Sequence, residues 1–445
     1  RTPSAEALSR DLDSLRGPLS AGEEAPTMVF EEPLTEARST VAAPGPSVAV
    51  IDFTNITGDA TADWLSSGMA ETLSVDLKRL SGVRVVGRRR VLQALGSVDA
   101  TSLGEEDLER LGRELGARWL LWGGFQKLGE AIRLTAHSFD VVSGATVETV
   151  KLDGTMGEIF TLQDEILKGL IGSLDLEVSE TEALQIERPE TEDLEAYEYC
   201  AKARELVYSM DPEAMEKAAG YLERAIELDP EYAMAYSSLG QLSSMRFIGT
   251  TDRGDLEKAI ESLQKAVELD PELGDPYGWL TYAYARDGRY EEAIASGRRA
   301  VELEADNPQS HYFLAVALWL HSLDRYRMDG VQEALERLRS VSDLVPRYQP
   351  GHQIQAGIYL QHGRYALARG RLEVAAEIEE SGRYELGKFV GAIGLSGRVA
   401  FRQGRPDEAA ALLDKAFAVS GDSVHVYTPA CNALAHCWRG DLLMS

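Results

Sequence analysis

The chain has 445 residues, 44% of them apolar, enough to bury more than one core, and a formal charge of −28 from 73 acidic against 45 basic side chains. That balance weighs against nucleic acid as a partner, because phosphate backbones are held by Lys and Arg. No apolar run approaches the roughly 18 residues that span a bilayer, the N-terminus lacks the charged-then-apolar plan of a signal peptide, and Cys200, Cys431 and Cys437 are too few for a disulfide framework. The expectation is a reducing, cytoplasmic setting, and a start at Arg1 rather than Met leaves room for residues upstream.

Residues 1–16 are expected to form a terminal amphipathic helix, with Thr2 as cap, Pro3 at the first helical position and Leu8, Leu12 and Leu15 on one stripe. The string from Arg1 to Leu12 resembles the last helix of bacterial Ser/Thr protein kinases, which implies a remnant of a kinase domain. Residues 17–46 hold Pro18, Pro26, Pro33, Pro44 and Pro46 with no sustained apolar period, the composition of a linker.

From Ser47 strand and helix patterns alternate. Val48–Phe53 predicts a buried strand, about Thr61–Leu80 a helix and Val83–Val86 a second strand. Ser102 and Glu105 have capping-box spacing for a helix running to about Leu115. Three strands between Arg118 and Val150, with turns at Gly129 and Ser143-Gly144, precede a helix over about Gly157–Leu174. The expected domain is α/β, a mixed sheet with helices, over residues 47–177.

The stretches Val48–Asn55, Gly58-Asp59, Trp64–Met69, Val83–Arg88, Leu111–Ala117 and Leu162–Glu165 resemble the TolB-like N-terminal domain. That family sits in bacterial signalling proteins between an upstream kinase or cyclase domain and downstream tetratricopeptide repeats. The resemblance implies a binding or scaffolding domain without established catalytic residues.

The rest of the chain repeats. Small residues seven apart recur as Ala218/Ala225, Ala259/Ala266, Ala293/Ala300, Ala334/Val341, Ala368/Ala375 and Ala409/Ala416, with first members spaced 41, 34, 41, 34 and 41. A period of 34 with seven extra residues in alternate units belongs to helix-pair arrays. A larger residue sits between the alanines (Leu222, Leu263, Leu338, Leu372, Leu413), although Gly297 stands in its place in the third unit. Pro230, Pro271 and Pro346 close units, while Gly288, Gly363 and Gly404 mark turns. With Tyr277-x-x-Leu280-x-x-x-Tyr284 and Tyr236-x-x-Leu239-Gly240 in first helices, residues 191–445 resemble the tetratricopeptide (TPR) family. This implies an all-α superhelix of about six units whose first helices line a concave surface for a peptide or protein. The seven-residue excess, around Arg246–Arg253 and Asp324–Gly330, is expected to lengthen helices or the turns between them.

Chemistry has no candidate. The Gly-rich loop, strand Lys and Asp-Phe-Gly of a kinase are missing, as are a Walker loop, a Gly-x-Ser-x-Gly elbow and His-Glu-x-x-His. Gly391, Gly394 and Gly397 have spacing for close helix packing rather than for a phosphate loop, and Glu379-Glu380 reads as solvated charge. Cys431, His436 and Cys437 lack a fourth ligand and zinc spacing, so structural burial is expected. Trp119, Trp122, Trp279 and Trp319 read as core. No catalytic residue, cofactor or metal is expected. Counting from the aromatic that opens each first helix, the inward positions are Gln241, Asp275, Tyr282, Arg286, Phe313, His321, Gln353 and Gln361. The expectation is a non-catalytic scaffold that recruits a protein through this groove; the alternative is the regulatory C-terminal region of a Ser/Thr kinase.

Overall fold

The computed structural model describes residues 46–80, 82–95, 103–174, 179, 190–207, 211–325, 329–381 and 391–420. The expected terminal helix, almost all of the expected linker, Ser102, Cys431, His436 and Cys437 lie outside them.

Ser47-Val48-Ala49-Val50 forms β1, buried along its length, as a run apolar on both faces must be. It pairs in parallel with β3 (Arg84–Val85) on one side and β4 (Trp119–Leu128) on the other. The antiparallel strands β5 (Ala131–Asp140) and β6 (Ala145–Thr155) follow, giving the order β3-β1-β4-β5-β6. The expected first strand breaks after Val50 and resumes as β2 (Thr54–Asn55) beside β4. Asn55 explains the motif that follows it: its Nδ2 donates to the Asp59 carbonyl (2.9 Å) and Asp63 Oδ1 (2.7 Å), while its Oδ1 accepts from the Gly58 amide (3.0 Å). Gly58 takes φ 69 at that turn, a conformation that favours glycine.

Helices cover both faces. On one face, α1 (Trp64–Lys78) and α4 (Ile159–Ile171) bring Leu65, Met69, Leu73, Ile166 and Leu170 against Val48, Val50, Leu121 and Leu134. On the other, α2 (Arg88–Leu95) and α3 (Glu105–Leu115) bring Val91, Leu108, Leu111 and Leu115 against Ala49, Ile51, Leu120 and Phe139. Two expectations change here. Helix α2 was not expected, because its eight residues open on three arginines and are too few to show a period. Helix α3 begins after Gly104, not Ser102: the Asp107 carboxylate accepts from the Gly104 amide at 3.2 Å, the part assigned to Glu105.

Six helix pairs follow among the described residues: α5 (Leu194–Val207) with α6 (Pro212–Leu228), α7 (Ala233–Thr250) with α8 (Arg253–Leu269), α9 (Gly274–Asp287) with α10 (Tyr290–Leu303), α11 (Pro308–Arg325) with α12 (Asp329–Leu344), α13 (Gln349–Gln361) with α14 (Tyr365–Ser381) and α15 (Ala392–Arg402) with α16 (Pro406–Ser420). Both members of the first five small pairs, and Ala409, are fully buried. The extra residues lengthen first helices: α7 and α11 have 18 residues, against 14 in α9 and 13 in α13. The third excess falls on residues 382–390, outside the described residues.

Gly297 is resolved by an exchange of volume. In the second pair a Cβ on Gly240 would come within 2.4 Å of Leu263. In the third pair the larger residue is on the first helix: Thr281 Cγ2 and Leu314 Cδ1 each lie 3.0 Å from where a Gly297 Cβ would be. Successive first helices touch from α5 through α13, and each second helix packs on its own first helix and on the next one. First helices therefore form the inner layer of the array.

Candidate functional site

The inner surface is set by the alanine register. Seven residues before the leading alanine stand Arg286, Gln361 and Arg402, and eleven before it Tyr282, Gly357 and Arg398. In the two lengthened helices the same places are Met245 and Leu320, and Gln241 and Val316. Trp319 joins two of these helices: its Nε1 donates to Gln361 Oε1 at 3.0 Å, and its ring lies 3.3 Å from where a Gly357 Cβ would be.

Of the eight expected residues, Gln241, Asp275 and Gln353 are half-buried while Arg286 and Gln361 are exposed. Tyr282 is 7% exposed and its ring lies 5.4 Å from Phe313, so it packs against the next repeat. The Arg286 guanidinium sits over that ring at 5.2 Å, a cation–π contact. Phe313 and His321 depart from the expected register. Phe313 is 9% exposed, wedged against Trp279, Tyr282 and Tyr312. His321 turns toward the start of α10, its Nε2 3.6 Å from Glu291 Oε1 and its ring 6.0 Å from Tyr290. The counterparts of Tyr282 and Arg286 on α11 are Val316 and Leu320, one 34-residue period on, while Phe313 and His321 repeat the places of Trp279 and Asp287.

A second site joins the sheet to the array. Tyr197 on α5 belongs to the sheet core: its ring meets Trp64 and Phe160 edge-on at 5.6 and 5.2 Å. Its hydroxyl shares hydrogen bonds with Thr72 (2.9 Å) and Gln163 (3.0 Å). Burial raises its pKa above the ordinary phenol value, so the hydroxyl stays protonated. Beside it, Glu71 takes Arg204 from α5 and Arg88 from α2, and Arg88 also pairs with Asp52. Farther along, Lys78 reaches Glu304 at 2.5 Å, Arg79 reaches Asp270 at 3.6 Å and Arg84 reaches Asp306 at 3.9 Å. A cleft of about 300 Å³ lies between α1 and these inter-repeat loops, its lining including Val75, Met234, Leu273, Asp275, Glu190 and Glu304. Burial pushes the Glu190 and Glu304 carboxyls up, and Asp76 well up, against opposing pulls from Arg79 and Lys78. Of these groups the sequence singles out Asp275 alone, and for the partner groove rather than for this cleft; the charged pairs join residues far apart in the chain.

Glu379 corrects the reading of Glu379-Glu380 as solvated charge. It is 4% exposed, and its carboxylate accepts from the Ala392 amide (2.9 Å), the Gly391 amide (3.3 Å) and Gln349 Nε2 (3.2 Å), capping α15. Only Glu380 is a surface charge, paired with Lys415 at 2.5 Å. Cys200 is buried, and burial pushes its thiol up to about 12, which makes it inert. Trp119 is buried, and Trp122 stacks on His137 with centroids 4.4 Å apart. Among the described residues no group of three His, Cys, Asp or Glu is placed to hold a metal, and no helix is long and apolar enough to cross a membrane.

Residues 251–288 match the family described as TPR repeat and residues 275–307 the family described as tetratricopeptide repeat. The C-terminal half of the chain thus carries TPR repeats, joined to an N-terminal region with a mixed sheet. Putative adenylate cyclase 3 of Rhizobium meliloti (strain 1021) is 26% identical over 280 residues; the match covers 63% of this chain and 41% of that protein. Among solved structures, a thermophilic TPR protein of Thermus thermophilus, TTC0263, is 18% identical over 44% of this chain and 98% of its own, with a TM-score of 0.36. PilW, a type IV pilus biogenesis factor, is 15% identical over 52% of this chain and 98% of its own, at 0.41. YrrB, described as a TPR protein with an unusual peptide-binding site, is 20% identical over 50% of this chain and 99% of its own, at 0.34.

Proposed function

We propose that the chain is a non-catalytic scaffold that recruits a protein partner on the inner surface of its TPR array, with the TolB-like sheet domain as a rigid base. The supporting observation is the inner layer itself. Successive first helices touch from α5 through α13, and their half-buried side chains include Gln241, Val316, Trp319 and Gln353. A row of partly exposed apolar and amide groups on a fixed frame suits a peptide laid across several repeats. Arg286 and Tyr282 anchor it as a stacked pair, the guanidinium reaching solvent and the ring holding the guanidinium in place. The partner is met in the cytoplasm, the setting expected of a chain with only three cysteines.

The test is site-specific photocrosslinking in the source cell, with the whole chain. A benzophenone side chain at Val316, on the inner layer, captures a discrete partner, and one at the exposed Glu336 of α12 does not. Equal capture from both positions, or none from Val316, contradicts the proposal.

A second reading is favoured by the cyclase relative, of which this chain spans about two-fifths. We infer that the sheet domain and array form the regulatory part of a signalling enzyme whose catalytic domain is a cyclase or a Ser/Thr kinase. Sequencing the gene upstream of the codon for Arg1 decides it: an open frame without such a domain removes this reading.

A further inference from the structure

Carboxylates outnumber cations in the cleft between α1 and the inter-repeat loops. Six line it, Glu190, Glu231, Asp270, Glu272, Asp275 and Glu304, against Lys78 and Arg79. Glu272 has a partner of its own in Arg299, at 2.7 Å. The two cations of the cleft are shared. Lys78 holds Glu304 at 2.5 Å, while burial and the nearby Asp275 both push the Glu304 carboxyl up. Arg79 serves Asp76 at 3.1 Å and Asp270 at 3.6 Å, and it also pulls on the buried Glu190. Asp270 and Glu304 hold the same place in successive repeats, 34 residues apart, and the first helices of those repeats touch. The two groups of acids therefore stand about one helix spacing apart, on the order of 10 Å.

Some of this acid is unmatched. Asp275, half-buried at the start of α9, and the exposed Glu231 form no ion pair among the described residues. The Glu190 carboxylate is bonded on one side only: Oε2 accepts from the Tyr232 hydroxyl at 3.2 Å, while Oε1, closed off from solvent, accepts no hydrogen bond among the described residues. A buried carboxylate oxygen in this state is destabilising until a donor meets it. Between the acids the walls are apolar, Val75 of α1 with Met234, Leu273 and Leu303 of the repeats.

We propose that this cleft binds a short aliphatic diamine, one ammonium meeting Asp275 beside Glu304, the other meeting Glu190 beside Asp270, and the methylene stem lying against Val75, Met234 and Leu273. A volume of about 300 Å³ is enough for a molecule of a few heavy atoms, and sites of this kind form where two domains meet. An ammonium only donates and a carboxylate only accepts, so each end gains charge-assisted bonds that a neutral diol cannot supply. The site stands at the loops that end the repeats, apart from the inner surface of the first helices. A ligand held there touches the sheet domain and repeats two and three at once, so its binding stabilises the junction between them.

The test uses the full chain, isothermal titration calorimetry at neutral pH and low salt, and three probes with the same carbon skeleton: putrescine, butylamine and butanediol. Putrescine is expected to fill a single site per chain about tenfold or more tighter than butylamine, and butanediol not to bind. Asp275→Asn, with unchanged circular dichroism, is expected to bring putrescine down to about the affinity of butylamine. Val75→Lys supplies an ammonium to the cleft from α1, and is expected to abolish putrescine binding and to raise the melting temperature of the unliganded chain. Diffuse attraction to an acidic chain gives a different pattern, several weak sites with equal affinity per ammonium and no response to either variant. That pattern, or no binding of putrescine, overturns the proposal. Crosslinking at Val316 does not involve this cleft, so the scaffold reading stands or falls separately.

Discussion

Lys78 and Glu304 are 226 positions apart and meet at 2.5 Å, the lysine at the end of the first sheet-domain helix and the glutamate at the end of a repeat. Glu304 keeps 7% of its side-chain exposure and Lys78 keeps 30%, so the carboxylate depends on its partner more than the ammonium does. Lys78→Met leaves a buried charge without its cation and is expected to cost about 1–3 kcal/mol. Adding Glu304→Gln should recover part of that loss. Differential scanning calorimetry of both variants checks it, and an unchanged melting temperature in Lys78→Met would show that the junction holds without the pair.

The alanine register predicts where the array cannot accept charge. Ala266 and Ala300 are both fully buried between helices. Aspartate at either place adds an unpaired carboxylate to an apolar contact and is expected to cost several kcal/mol, about 3–5. Urea denaturation followed by circular dichroism measures it. A loss below about 1 kcal/mol in both variants would mean that the helices pack in another register.

Gly240 with Leu263, and Thr281 with Gly297, fill the same kind of contact with the large residue on opposite helices. Gly240→Ala pushes a methyl to 2.4 Å from Leu263 and is expected to destabilise by about 1–3 kcal/mol. Combining it with Leu263→Ala should cost less than the two single changes summed, because the second change frees the space the first one needs. A double-mutant cycle that is additive would show that the two sites do not share that volume.

Asp76 gives a pH signature at the junction. It is 4% exposed and burial holds its pKa well above the ordinary carboxylate value. Above about pH 4 the unfolded chain has released this proton and the folded chain has not, so the contribution of Asp76 to stability falls as pH rises toward its folded pKa. Asp76→Asn lacks that dependence. The melting temperature of the variant minus that of the wild type should therefore increase between pH 5 and pH 8, and a difference flat in pH would show that Asp76 titrates normally.

The repeat register is legible because it rests on contacts within one helix pair, such as Gly240 on Leu263, where a seven-residue spacing records a shared face. The hairpin strands are legible for the same local reason, their turns falling on Gly129 and Gly144. What escapes the sequence is non-local. The cap on α15 comes from Glu379, twelve residues before Gly391, and nothing in the string Glu379-Glu380 separates the buried carboxylate from the solvated one. Lys78, Arg79 and Arg84 look like ordinary surface bases until the chain brings Glu304, Asp270 and Asp306 to them. Phe313 and His321 are misplaced by counting from an opening aromatic, because they stand 34 residues after Trp279 and Asp287 and so repeat the places of those residues, not of Tyr282 and Arg286.

Tyr197 is a residue of the first repeat helix by sequence and of the sheet core by packing. A strain applied to the array is therefore not absorbed by a hinge at α5, since that helix cannot tilt without drawing Tyr197 away from Trp64, Thr72 and Gln163. Through Tyr197 the first repeat helix is pinned to both α1 and α4. Tilting α5 would thus load the sheet at Tyr197 itself.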